Sequence, residues 1–122
     1  MRTLVNTKDK LLIRVDGTQG RIVFNSNCSK LFEDNNCKVT LYEEKDQYYL
    51  AFGEDKDCLA SYKVNGLYII QNSGIVREIL EGLKSKIIYK GRLICELVKE
   101  NGYYLLKPTR LKAMNQRKRE SE

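Results

Sequence analysis

A chain of 122 residues with 22 Lys and Arg, 16 Asp and Glu, no histidine and a formal net charge of +6 has room for one shared core and too few residues for several domains. It has no run of about 18 apolar residues, and Lys8, Asp9 and Lys10 fall where a signal peptide needs its apolar core; this predicts a cytoplasmic protein with no membrane partner. Without histidine, and without a glycine-rich phosphate loop of the G-x-x-x-x-G-K type, no nucleophile with its base can be read, so neither an enzyme nor a catalytic residue is predicted.

The first predicted elements are two strands around a polar turn. Leu11 to Val15 leads through Asp16-Gly17-Thr18-Gln19-Gly20 into Arg21-Ile22-Val23-Phe24-Asn25-Ser26. A short mixed segment, residues 27–33, suits one or two helical turns. Cys37 to Tyr42 then alternates with period two, residues 43–47 supply a polar turn, and Tyr48 to Phe52 returns as a strand.

The pattern then starts again. Ala60 to Val64, the turn pair Asn65-Gly66, and Leu67 to Gln71 form a second hairpin, because Asn and Gly both tolerate positive φ. The strongest predicted helix covers residues 74–83, with Ile75, Val76, Ile79, Leu80 and Leu83 at three- and four-residue spacings, Ser73 as N-cap and Gly82 weakening its last turn. Leu93 to Val98, a turn at residues 99–102 and Tyr103 to Leu106 complete a closing hairpin. The two Asn-Ser pairs lie 47 residues apart and the two Tyr-Tyr-Leu triplets 55 apart, which places eight extra residues in the second copy, at about residues 85–92.

The fold class expected is therefore mainly β with short helices: two tandem ββαββ modules sharing one barrel-like core. The first module takes residues 1–53, a charged linker 54–57, the second module 58–108, and a tail 109–122. Residues expected in the core are Ile22, Val39, Leu41, Leu50, Ile69, Ile79, Leu80, Ile94, Leu97 and Leu105. Cys28, Cys37, Cys58 and Cys95 lack C-x-x-C spacing and read as free, buried thiols, with no metal and no cofactor.

The run Val15-Asp16-Gly17-Thr18-Gln19-Gly20-Arg21-Ile22-Val23-Phe24, followed by a short helix and a hairpin, resembles the AbrB/SpoVT/MraZ swapped-hairpin family. The ending Gly102-Tyr103-Tyr104-Leu105-Leu106-Lys107-Pro108 is similar to that family's closing strand, and a tandem of two modules resembles its MraZ-type arrangement, across about residues 10–108. The second copy is degenerate, with Val64-Asn65-Gly66-Leu67 in place of the Asp and Gly-Arg of the first. The resemblance implies a swapped-hairpin core and a transcription regulator or antitoxin-like protein that binds double-stranded DNA, with contacts from Arg14, Gly20 and Arg21 and with Asp16 fixing the loop.

Charge placement adds further candidates. Residues 107–122 hold six basic and two acidic residues, a net of +4 that leaves +2 for the first 106. Arg110, Lys112, Arg117, Lys118 and Arg119 form a basic tail read as disordered, which adds nonspecific phosphate affinity. Lys63 matches Arg14 in the second copy, and Lys30 and Arg77 occupy corresponding helices. The alternative is a non-enzymatic protein-interaction module, an inhibitor or adaptor that has lost its DNA contacts, for which eight tyrosines offer broad contact area. Open strand edges also raise a homo-oligomer as a partner.

Overall fold

The computed structural model describes residues 9–83, 88 and 90–110. Two hairpins begin the chain, β1 (Leu12–Asp16) with β2 (Arg21–Phe24) and, after a 3-10 turn (Ser26–Cys28) and helix α1 (Ser29–Asp34), β3 (Val39–Glu44) with β4 (Gln47–Phe52). The same order returns as β5 (Tyr62–Val64), β6 (Leu67–Gln71), helix α2 (Ser73–Leu83), β7 (Arg92–Glu100) and β8 (Tyr103–Pro108). The protein is thus mainly β with short helices, as the sequence predicts.

Tight turns follow from local chemistry. Both central residues are at positive φ in Lys45-Asp46, Asn65-Gly66, Lys90-Gly91 and Asn101-Gly102, the geometry that matches the right-handed twist of the flanking strands. Two of these four are Asn-Gly pairs visible in the sequence. Helix α2 is capped by Asn72, whose Oδ1 accepts the Ile75 amide at 3.1 Å, and not by the expected Ser73, which is already the first helical residue.

All eight strands join one curled antiparallel sheet in the order β3-β4-β8-β7-β1-β2-β6-β5. Strands of the two halves therefore interleave: β2 pairs with β6, β4 with β8, and β1 with β7. Exchanging β1–β4 for β5–β8 keeps every neighbour pair of the order except β7 with β1, whose counterparts β3 and β5 are the two edges of the open sheet. The registers obey that exchange. Under the 47-residue offset, Ile22↔Ile70 becomes Val23↔Ile69, and under the 55-residue offset, Tyr49↔Leu105 becomes Leu50↔Tyr104; all four pairs are present.

The two seams differ. Five residue pairs join β1 to β7, whereas the counterpart seam holds one bridge, Val39↔Leu59, beyond the end of β5. There the charged linker lies along β3: Lys38 contacts Asp55, the Thr40 hydroxyl donates to the Lys56 carbonyl, and the Tyr42 hydroxyl donates to Glu54. The linker thus covers an edge that would otherwise present unpaired backbone.

Side chains alternate across the sheet, so each strand feeds two surfaces. The inner surface carries the main core, in which Ile13, Val15, Ile22, Phe24, Val39, Leu50, Ile70, Leu97 and Leu106 meet Phe32 of α1 and Val76 and Ile79 of α2. The outer surface carries a smaller cluster, Leu12, Val23 and Ile69, with Leu67 and Ile94 packed against it. Of the expected core, Ile22, Val39, Leu50, Ile69, Ile79 and Leu97 are buried, Ile69 in the outer cluster, while Leu41, Leu80, Ile94 and Leu105 are only half-buried.

The last strand shows why. Leu106 pairs with Leu97 and points inward at 2% exposure, whereas Leu105 pairs with Val98 and faces outward. Leu106→Ala should therefore cost about 2–5 kcal/mol in a denaturant titration and Leu105→Ala clearly less; equal losses would show that both faces of β8 are packed alike.

The cysteines also divide. Cys28 and Cys95 are buried free thiols, each raised by burial to about 12, but Cys37 and Cys58 are exposed, which corrects the expectation that all four lie inside. Among the described residues, no group of three or more His, Cys, Asp or Glu could hold a metal, and no helix is long and apolar enough to cross a membrane.

Candidate anion-binding site

The first strand sends Leu12, Arg14 and Asp16 to the outer surface, and its two neighbours add to them by register. Asp16 is paired with Arg21 on β2 and with Arg92 on β7, while Arg14 lies one outward position further along. Three arginines and one carboxylate thus meet at the β1–β2 end of the sheet. The Asp16 side chain is 1% exposed, with Oδ2 lying 3.4 Å from Arg92 Nε and 3.9 Å from Arg14 Nε; the Arg14 and Arg92 side chains are 22% and 50% exposed.

The other oxygen of Asp16 holds the loop. Oδ1 accepts the Thr18 hydroxyl at 2.6 Å and the amides of Thr18 and Gln19 at 3.0 and 3.3 Å, so one buried carboxylate fixes both the turn and the arginines. Burial alone pushes its pKa up, but the Thr18 hydroxyl, the Gln19 and Thr18 amides and the Arg92 guanidinium outweigh that and hold it below its ordinary value. The Arg14 pKa is lowered by burial, against the attraction of Asp16, and lowered further by repulsion from Arg92 and Arg21. Among the described residues, the Asp16 carboxylate lies beside the Arg14 and Arg92 guanidinium groups with Arg21 close by, a local concentration of positive charge that suits an anion.

The loop is tied on both sides. Gly17 donates its amide to the Gly91 carbonyl at 2.8 Å, next to the start of β7. The Gln71 side-chain amide donates to the carbonyls of Gln19 and Gly20 at 2.7 and 3.2 Å, and the Asn72 amide donates to Gly20 at 3.0 Å. Gly20 has φ +67°, and a Cβ there would lie 2.6 Å from Cβ of Ser73, so both conformation and space demand glycine. Its place in the site is that of a fixed junction between loop and helix.

The remaining sequence candidates lie apart. Lys30 is exposed on α1 and pairs with Asp34 at 3.1 Å; Lys63 pairs with Glu33 at 3.6 Å and stands over the inward-facing Tyr68 ring. Arg77 lines a separate recess of about 270 Å³ with Gly17, Ser73 and Glu81, behind the loop. Arg110 is exposed just after β8, and Lys112, Arg117, Lys118 and Arg119 lie outside the described residues.

Arg92 was not among the sequence candidates. It sits in the eight-residue excess of the second copy, where no counterpart in the first copy flags it, and it reaches the site only through the long-range pairing of β7 with β1. No family model matches this chain, and no curated protein or solved structure matches it.

Proposed function

We propose that the protein is a non-enzymatic, cytoplasmic regulator of the AbrB/MraZ-like kind whose β1–β2 end binds the phosphate backbone of double-stranded DNA. The observation that carries this reading is the gathering of Arg14, Arg21 and Arg92 on one outward surface beside Asp16, on a loop pinned at both ends. Guanidinium groups present planar forks of donors that suit phosphate oxygens, and a site already fixed loses little freedom on binding. The basic tail adds salt-sensitive affinity without sequence preference.

A direct test is titration of a labelled random duplex at about 50 and 200 mM salt. The intact protein should bind with at least micromolar affinity at about 50 mM, and Arg21→Ala with Arg92→Ala should weaken binding and lower the salt slope by about 0.9 for each phosphate no longer neutralised. Deletion of residues 109–122 should flatten the slope while leaving any sequence preference intact. No measurable binding at about 50 mM salt would overturn the proposal.

The protein-interaction reading is favoured by one observation. In the second copy the loop shrinks to Asn65-Gly66, and Lys63 is drawn to Glu33 and Tyr68, so a basic loop is presented on one side of the pseudo-symmetric sheet alone. Binding of the duplex by neither the intact protein nor the tail-deleted form would make that reading the better one.

A further inference from the structure

We propose that a tyrosine-walled recess on the outer surface, formed by the β3–β4 and β7–β8 hairpins, holds a lysine or arginine side chain from an extended basic segment of a protein partner. This does not rest on the DNA reading. The recess encloses about 550 Å³, within the range of sites that hold a compact ligand group. Its walls are Tyr42, Tyr49 and Tyr103, and its lining adds Glu43, Glu44 and Glu100 with no basic residue. Glu43 alternates to the inner side opposite Tyr48, and its carboxylate accepts the Asp46 amide at 3.0 Å, so Glu44 and Glu100 are the outward carboxylates, a local reversal of sign in a chain of net charge +6.

The aromatic geometry specifies the ligand further. Tyr103 stands nearly perpendicular to both neighbours, 5.7 Å from Tyr42 at 82° and 6.4 Å from Tyr49 at 70°. The face of Tyr103 is therefore turned away from those of both Tyr42 and Tyr49 in the same recess. Tyr42 and Tyr103 keep 40% and 39% of their surface exposed, whereas single exposed aromatics are ordinary and a contiguous group is not. The Tyr42 hydroxyl donates to Glu54 and the Tyr49 hydroxyl to Gln47, so the polar tips are engaged and the ring faces remain for contact. Ring faces attract cations through their negative quadrupole, and the methylene stem of lysine or arginine packs on the same surface. A neutral apolar side chain would leave Glu44 and Glu100 without complement, and a phosphate would be repelled by them.

The test is an NMR titration of the full chain at low salt with a five-residue peptide, acetyl-Gly-Gly-Arg-Gly-Gly-amide, against its citrulline isostere. The arginine peptide should shift resonances of Tyr42, Tyr49 and Tyr103, and the citrulline form, which keeps shape and loses charge, should bind about tenfold more weakly. Glu44→Gln with Glu100→Gln changes no core residue and should weaken the arginine peptide several-fold. Tyr103→Leu should weaken it comparably, by removing the ring face. Equal binding of both peptides, shifts confined to other surfaces, or no shift at millimolar peptide would each overturn the proposal.

Discussion

Phe32→Ala should lower the free energy of unfolding by about 3–5 kcal/mol, a large share of the roughly 5–15 kcal/mol usual for a domain. Phe32 is fully buried and stacks flat on Tyr68, with centroids 4.4 Å apart and 1° between planes. It also meets Phe24 and Phe52 edge-on, at 4.8 and 5.3 Å. Tyr68 belongs to β6 and the other three aromatics to the first half of the chain, so this ring adds an aromatic contact between halves already joined by strand pairing. Its removal leaves a cavity that three neighbouring rings, already held by their strands, cannot close. Urea titration followed by tyrosine fluorescence checks this, and a loss below about 1 kcal/mol would mean that α1 repacks freely over the sheet.

The interleaved architecture was legible because its signals are local. Asn65-Gly66 and Asn101-Gly102 mark hairpins, and the 47- and 55-residue offsets of the repeated motifs return as the registers of β2 with β6 and β4 with β8. Less legible were features set by partners distant in sequence. Leu105-Leu106 are both leucine, so alternation could not say which one faces inward, and the answer depends on pairing with Leu97 and Val98. Gly82 reads as a weak point in α2, yet a Cβ there would collide with the Tyr48 ring, whose hydroxyl donates to the Glu78 carbonyl at 3.1 Å. The residue that looks like a defect in the helix is the one that lets β4 dock on it. Arg14, Asp16 and Arg21 could be found from their own loop, whereas Arg92 comes from a strand 76 residues beyond Asp16.

Asp16→Ala should be the most damaging change at the candidate site, costing about 2–4 kcal/mol. That is somewhat below the full range for a broken buried ion pair, because the Arg92 side chain is half exposed. The alanine variant loses the three hydrogen bonds that shape residues 16–19 and leaves three guanidinium groups facing one another. Asp16→Asn separates these effects, since its amide oxygen can still accept the loop amides while the charge is gone. The folded Asp16 pKa lies below its ordinary value of about 3.9, so its stabilisation is complete above that value and fades as pH falls through the folded one. The stability gap between the native chain and Asp16→Asn should accordingly hold its full size above about pH 5 and close on acidification. A gap that persists unchanged into strong acid would mean that the asparagine acts by shape and not by charge. Under the phosphate-binding proposal the two variants diverge again at neutral pH. Asparagine raises the local charge by one while keeping the loop, so duplex affinity at low salt should rise as stability falls, whereas alanine should lose both, because arginines without a fixed loop no longer share one surface.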